Sequence, residues 1–366
     1  MKWIAEQQVK LKKFADKNWK RKLNVGRLEV FGLDIGTSAI KIVQLDKNDS
    51  GYRVTAAGIA AIEEKIEIEG NDENSGSNVL NAIRKCLRSA GIQTEFAVCG
   101  VCGPEVMVRH FAFPQLLPEE INGAVMLEAK QVSPFNTDDG VVDYQLISND
   151  TNSVNGILVA TTNKLLKEKT RFIESSALHS ILVDVDGLAL LNCFRGCQEY
   201  TAETTAILNI GSSYATLAIV SNDDLPFIRD LTFAGKAIIE YIASNGNVPA
   251  GTVESILAGH ENPDKINPSL REGMEAACNK LITDVTETLR YYAIRNKSET
   301  IEKIYVCGGF ALVDGFIDLL KTQFPAVVLW NPFEKISYDA SAPYAEILRK
   351  KGPGMAVAAG LAMRAI

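Results

Sequence analysis

Histidine is scarce in this chain: 366 residues carry three, His110, His179 and His260. None stands at a spacing that a zinc ligand set or a hydrolase triad needs. No uninterrupted apolar run reaches the roughly 20 residues that a membrane-spanning helix requires. The first residues lack the apolar core and small-residue cleavage site of a secretory leader, which gives a cytoplasmic expectation. GxxxxGK[ST] is absent, so the phosphate loop of the P-loop class is excluded. Paired cysteines are missing too. The seven thiols, Cys86, Cys99, Cys102, Cys193, Cys197, Cys278 and Cys307, are odd in number and scattered, unlike a disulfide framework. Cys99-x-x-Cys102 lies in an apolar run with no second pair to complete a metal site, and reads as buried, reduced thiols.

What is present describes a protein with ample core: 46% of residues are hydrophobic and 23% charged. The length fits two domains with room for an insert. Charge is unevenly spread. Eight basic residues against Glu6 and Asp16 leave residues 1–23 at +6, so the remainder, set against a total of −7, stands at −13. A body that acidic argues against nucleic acid as the ligand. Within 1–23, Trp3, Ile4, Leu11, Phe14 and Ala15 share one helical face, opposite Lys13, Lys17 and Lys20. That pattern predicts a basic amphipathic extension over 1–27, suited to an anionic membrane surface or to a partner.

Beyond it, period and punctuation predict strands at 28–35, 40–46, 52–62 and 95–102, a loop at 69–77, and a helix at 78–90 capped by Gly91. Helix 119–132, with a stripe of Ile121, Val125, Ala129 and Val132, stops before Pro134. Strands 140–147 and 156–161, helix 163–177, strand 180–185 and helix 187–195 complete one half. The second half repeats the scheme with strands 204–210, 214–220 and 226–230, helices 235–244 and 276–296, strand 302–307, helix 312–323, strand 326–329 and a small-residue helix 353–364. Alternating hairpins and helices predict α/β layers.

One internal repeat carries chemistry. Leu33-Asp34-Ile35-Gly36-Thr37-Ser38 returns 175 positions later as Leu208-Asn209-Ile210-Gly211-Ser212-Ser213. Each copy ends one strand and begins the next, so each is a tight turn with glycine and hydroxyls at its tip. Glycine permits close backbone approach, successive N–H groups converge on an anion, and hydroxyls add donors. Two such turns facing each other would grip a polyphosphate from both sides. A third element, strand 304–307 running into Gly308-Gly309, offers a flat surface for a base.

These segments resemble the two phosphate motifs and the adenosine motif of the actin/Hsp70 superfold. Within it, the chain from about Leu28 onward resembles the PilM family of type IV pilus assembly. The resemblance rests on 31–41, on Leu127-Glu128-Ala129-Lys130-Gln131-Val132-Ser133-Pro134-Phe135, on Asp143-Tyr144-Gln145-Leu146, on Arg229-Asp230 and on Asn331-Pro332-Phe333. It implies an actin-like (ribonuclease H-like) α/β fold: a first lobe over 28–200, an FtsA/PilM-type insert at about 105–181, and a second lobe over 201–366. It also implies ATP with Mg²⁺. Asp34 would sit near the metal through water, Gly36, Thr37 and Ser38 would contact phosphate, and Lys41 would neutralise it. Gly211, Ser212 and Ser213 would cover the other side, with Asn209 at their base. Gly308, Gly309 and Phe310 would border adenine, and Gly235, Lys236 and Glu240 ribose and base, although Lys236 and Glu240 also read as an exposed helix pair. Asp186 would orient water or N-cap its helix.

Two departures stand out. Asn209 occupies a position where the family pattern has aspartate, which implies slow or absent hydrolysis, and the basic extension has no family counterpart. The resemblance further implies a cytoplasmic scaffold, peripheral on the inner membrane, working with other pilus assembly proteins. The insert would bind the cytoplasmic peptide of a PilN-like membrane protein along a seam against the first lobe. Phe135 and Tyr144 would wall that seam, or else fill the insert's own core. An FtsA-like division or cytoskeletal protein and a small-molecule kinase of the same superfold are the alternatives.

Overall fold

The computed structural model describes residues 29–49, 51–63, 73–149, 153–197, 204–221, 226–258, 268–295, 301–324 and 326–365. The basic extension 1–27 lies outside them.

A wholly buried β1 (Phe31–Ile35) opens the chain and pairs antiparallel with β2 (Ala39–Asn48), which pairs with β3 (Gly51–Ala61). Helix α1 (Glu73–Ala90) follows, ended by Gly91 in the left-handed region at φ 69°, the cap its sequence announces. Its start at Glu73 takes in part of the polar stretch expected to be loop. β4 (Phe96–Val101) then pairs parallel with β1.

The insert comes next: β5 (Val106–Pro114), α2 (Pro118–Val132), β6 (Gly140–Asn149) and β7 (Ser153–Thr162) form a three-stranded sheet ordered β5-β7-β6 with α2 on one face. β5 has no counterpart among the expected strands. The insert is also narrower than 105–181. Helix α3 (Asn163–Glu174) buries Phe172 and Ile173 with α1, and β8 (His179–Val185) pairs with β4 at the edge of the first sheet, ordered β3-β2-β1-β4-β8, so both belong to the first lobe. Helix α4 (Asp186–Gly196) leads out of that sheet.

The second half builds the same sheet again. β9 (Thr205–Ile210), β10 (Ala215–Val220) and β11 (Phe227–Leu231) pair antiparallel, α5 (Gly235–Gly246), α6 (Ala250–Leu257) and α7 (Pro268–Arg295) follow, and β12 (Lys303–Cys307) pairs parallel with β9. After α8 (Phe316–Gln323), β13 (Val327–Leu329) closes the order β11-β10-β9-β12-β13, strand for strand the plan of the first sheet. Helix α8 starts four residues later than its pattern suggests, because Gly315 at φ 74° breaks the chain first.

The chain beyond β13 returns to the first lobe, which corrects a second lobe running to 366. The backbone of Val54 donates to Ser337 at 2.8 Å, and Tyr344 Oη donates to the Val54 carbonyl at 3.0 Å. After α9 (Ala345–Lys351), an element absent from the sequence reading, α10 (Ala356–Ala362) is buried along its length. Its alanines and glycines allow that approach. A side chain at Gly32 would run into the backbone of Ala358 and Ala362, and one at Gly360 into the Ala189 carbonyl. Arg364 then ion-pairs with the buried Asp184 of β8. No helix among the described residues is long and apolar enough to cross a membrane.

Candidate functional site

The parallel strands β1, β4, β9 and β12 end on one side of the molecule, and the turns that follow them converge there. The first turn, Gly36-Thr37-Ser38, joins β1 to β2; a side chain on Gly36 would come within 2.8 Å of the Ala39 carbonyl. The second, Gly211-Ser212-Ser213, joins β9 to β10 and is held by Gly211 N–H donating to the Tyr214 carbonyl at 3.0 Å. The two tips meet: Ser213 Oγ donates to Thr37 Oγ1 at 3.0 Å. Residues from opposite halves of the sequence thus line one cleft.

The repeat differs in its charges. Asp34 stands opposite Lys41 in the β1–β2 ladder, and Lys41 Nζ lies 2.9 Å from Asp34 Oδ2. Burial opposes charge on Lys41, yet Asp34, with Asp186 behind it, more than offsets this and holds the ammonium above the ordinary lysine range. In the second ladder the equivalent pair is Asn209 and Thr216, both neutral. Asn209 Oδ1 lies 3.7 Å from the Cys307 thiol, and Thr216 gives its hydroxyl to Asp230 at 2.6 Å. The second copy lacks both the aspartate and the lysine of the first.

Asp186 forms the floor. It is the first residue of α4, the N-cap position belongs to Val185, and no side chain caps that end, so the capping alternative does not hold. The residue is 8% exposed, and its carboxyl turns toward Gly100, where any side chain would collide with Oδ1. Oδ1 has no hydrogen-bond partner. Burial and then the Asp34 carboxylate push Asp186 up to about 7. Three further neighbours were not assigned to the site from sequence, although Cys102 and Asp230 lie in the quoted Cys99-x-x-Cys102 and Arg229-Asp230 pairs. Lys169 of α3 donates to the Ile35 carbonyl at 2.7 Å, at the root of the first turn. The Cys102 thiol touches Asp186, and burial together with the Asp186 and Asp230 carboxylates keeps it protonated. Asp230 accepts from Gly103 N–H at 2.7 Å across the lobes, and the Tyr214 ring covers Gly103, whose φ of 99° admits little but glycine.

The third wall is the Gly308-Gly309 turn. Gly308, at φ 98°, lies against the backbone of Ile210, so only glycine fits. Space is open where a side chain on Gly309 would point. A single 3-10 turn, Phe310–Leu312, follows in place of the expected helix start. Phe310 itself is buried, edge-on to Phe316 at 5.1 Å, and packs against Gly235, so it supports the wall from behind. Gly235 N–H donates to the Gly211 carbonyl at 3.1 Å and Lys236 N–H to that of Ser212 at 2.8 Å, which fastens α5 to the second turn. The side chains of Lys236 and Glu240 are exposed on α5. The chain around Gly354 backs Gly309, and the Pro353 carbonyl accepts from Gly308 N–H at 2.9 Å, a contribution from the C-terminal segment that no motif signalled.

Far from this cleft, Phe135 and Tyr144 pack on the insert's own core of Met107, Phe111, Val125 and Leu158, with Tyr144 edge-on to Phe111 at 6.2 Å. Both are half-buried against that core. The seam on the β5 side is against the second lobe, where His110 Nε2 lies 2.7 Å from the Pro226 carbonyl.

The fold has solved counterparts. The PilM–PilN type IV pilus biogenesis complex contains a chain that is 22% identical, with a TM-score of 0.79 over 93% of this chain and 99% of that one. The ethanolamine utilization protein EutJ from Carboxydothermus hydrogenoformans, 12% identical, reaches 0.52 over 91% of this chain and 88% of its own. A diol dehydratase-reactivating factor in nucleotide-free form, 11% identical, also reaches 0.52, over 92% and 99%. They share the two-lobed actin-like architecture. The family model described as type IV pilus assembly protein PilM matches residues 32–366, so both phosphate-type turns, the insert and the returning C-terminal helix fall within it: the chain belongs to the PilM family.

Proposed function

We propose that this chain is an ATP-binding scaffold of the type IV pilus assembly platform, working on the cytoplasmic face of the inner membrane and holding the cytoplasmic tail of a PilN-like protein. The contact between Ser213 and Thr37 carries the nucleotide part of this reading, since it brings two anion-binding turns from opposite lobes within reach of one polyphosphate. Gly36, Thr37 and Ser38 take one side of the phosphates and Gly211, Ser212 and Ser213 the other. Lys41 supplies positive charge, and the open face of Gly309 receives the base, with Lys236 and Glu240 at its rim.

The donor set suits a nucleotide better than a protein-held metal. Among the described residues no cluster of three His, Cys, Asp or Glu could hold an ion. Asp34, the one carboxylate beside the first turn, is engaged by Lys41. A magnesium ion arriving with the phosphates would therefore keep phosphate and water ligands, with Asp34 reaching it through water; its chemistry there is to screen phosphate charge. Asp186 is the residue suited to orient a water, and the neutral Asn209 leaves that water poorly polarised, so turnover is slow.

PilN is the partner in the solved PilM–PilN complex, and the same class of partner is assigned to this chain. With Phe135 and Tyr144 packed on the insert's own core and β5 against the second lobe, the outer strand β6 is the edge left for an extended peptide. Val141 and Ile147 on it, 44% and 49% exposed, would take the peptide's apolar side chains. Titration of a PilN-like N-terminal peptide tests this: wild type should bind, and Val141→Glu with Ile147→Glu should not. Equal binding by both proteins would reject β6 as the docking edge.

A further inference from the structure

An acidic protein would be expected to scatter its cations among its carboxylates, yet three arginines gather where the insert meets the second lobe. Arg109 lies on β5, Arg229 on β11, and Arg295 ends α7. The His110–Pro226 contact sets β5 beside β11. The Phe227 ring, at 5.9 Å from Tyr291 and 5.8 Å from Tyr292, seats the last turn of α7 on the same strand. All three arginines are solvent-exposed; partial desolvation holds Arg109 below the ordinary arginine range, Tyr291 opposes that shift, and the guanidiniums of Arg295 and Arg229 add to it. Among the described residues none of the three makes an ion pair with a carboxylate. Arg229 and Asp230 face opposite ways from β11. Asp230 turns into the cleft to Gly103 and Thr216, so it does not neutralise its neighbour.

Apolar surface adjoins the cluster. Ile294 is 81% exposed and Tyr291 52%. Guanidiniums that repel one another in a folded state lower its stability, and the arrangement becomes favourable when carboxylates arrive between them. Arginine and tyrosine beside an exposed aliphatic side chain is also the composition of protein interface centres. The geometry points to a docking site for an acidic peptide segment of a partner protein, its carboxylates spanning Arg109, Arg229 and Arg295 and an apolar residue lying on Tyr291 and Ile294. Free phosphate would leave the apolar rim uncovered. The site lies apart from both the nucleotide cleft and the β6 edge, and stands whether or not either is occupied.

The test uses the full chain and a fluorescein-labelled peptide of glutamate pairs separated by leucines, followed by anisotropy. Wild type should bind saturably, more weakly as salt rises. Arg109→Ala combined with Arg229→Ala should lose at least about tenfold in affinity, with its circular dichroism retained and its thermal midpoint no lower than that of wild type. Ile294→Ser should weaken binding without changing its salt dependence, which separates the apolar contact from the charges. No saturable binding by wild type, or equal binding by the double arginine variant, overturns the assignment. Arginine-dependent sedimentation with phosphatidylglycerol vesicles in place of peptide binding overturns it as well, in favour of a lipid surface.

Discussion

At the scale of single residues, the strand pair beside the second turn differs from that beside the first at both of its facing positions. Asp34 has Lys41 across its ladder, and Asn209 has Thr216. Aspartate at 209 would have no lysine opposite it, which makes Asn209→Asp informative. Restored charge should polarise water, so ATP turnover should rise while affinity changes by less than about threefold, because the backbone nests are untouched. Single-turnover hydrolysis reads the first and calorimetry the second. Brisk hydrolysis by the wild type would show that Asp34 and Asp186 suffice. Asp186 gives a second prediction. Burial, then Asp34, raises its pKa to about 7, above the roughly 3.9 of an unfolded aspartate. The folded state therefore holds the proton more tightly, and the stability gained is full below about pH 4 and lost as pH rises through about 7. Asp186→Asn should be more stable than wild type above pH 7, by on the order of a few kcal/mol, with the gap closing toward pH 4. Parallel denaturation curves at all pH values would contradict this.

Among the elements, those with a strong local period were legible from sequence. β1, β2, β9 and β10 lie where their strand-like apolar runs placed them, and α1 ends at Gly91 as its cap announced. What failed depended on distant contacts. Glycine in the left-handed region at 315 breaks a helix whose apolar spacing continues through it. The edge strand β5 mixes Arg109 and His110 into its alternation because its neighbour is the second lobe, so neither face reads as simply inside or outside. Phe135 and Tyr144 have the same composition whether they line a groove or fill a core, and only the packing decides. Of the cleft, both turns and the glycine pair were visible as motifs. Lys169 reaches it from a helix whose local sequence carries no mark of it, and the Cys99-x-x-Cys102 and Arg229-Asp230 pairs gave no sign that Cys102 and Asp230 would line it. The same holds for α10, whose small residues signalled burial but not its partner. Gly360 lies against the Ala189 carbonyl of α4. Gly360→Val should force the helices apart and cost about 1–3 kcal/mol. The buried Asp184–Arg364 pair fixes the same helix: Arg364→Leu should cost about 3–5 kcal/mol by stranding Asp184, and adding Asp184→Asn should recover part of the loss. Urea denaturation of the two single variants and the double variant decides both points.

For the whole molecule, the duplicated sheet explains why a cleft exists at all. Two copies of one strand order bring equivalent turns together, tip to tip, with the insert bridging to the second lobe on one side and the C-terminal helix returning to the first on the other. Membership in the PilM family places this architecture in pilus assembly. The reading of the chain as a nucleotide-gripping scaffold then stands or falls on whether the two lobes act on one ligand. Calorimetric titration of ATP into wild type, Gly36→Val and Gly211→Val measures this directly. A side chain at either glycine would crowd its own turn, against the Ala39 carbonyl in one case and the Tyr214 carbonyl in the other. If one nucleotide is held from both sides, each substitution alone should weaken binding at least about tenfold, or 1.4 kcal/mol, despite lying in different halves of the chain. Wild-type affinity retained in either variant, or no binding by the wild type, would contradict the account.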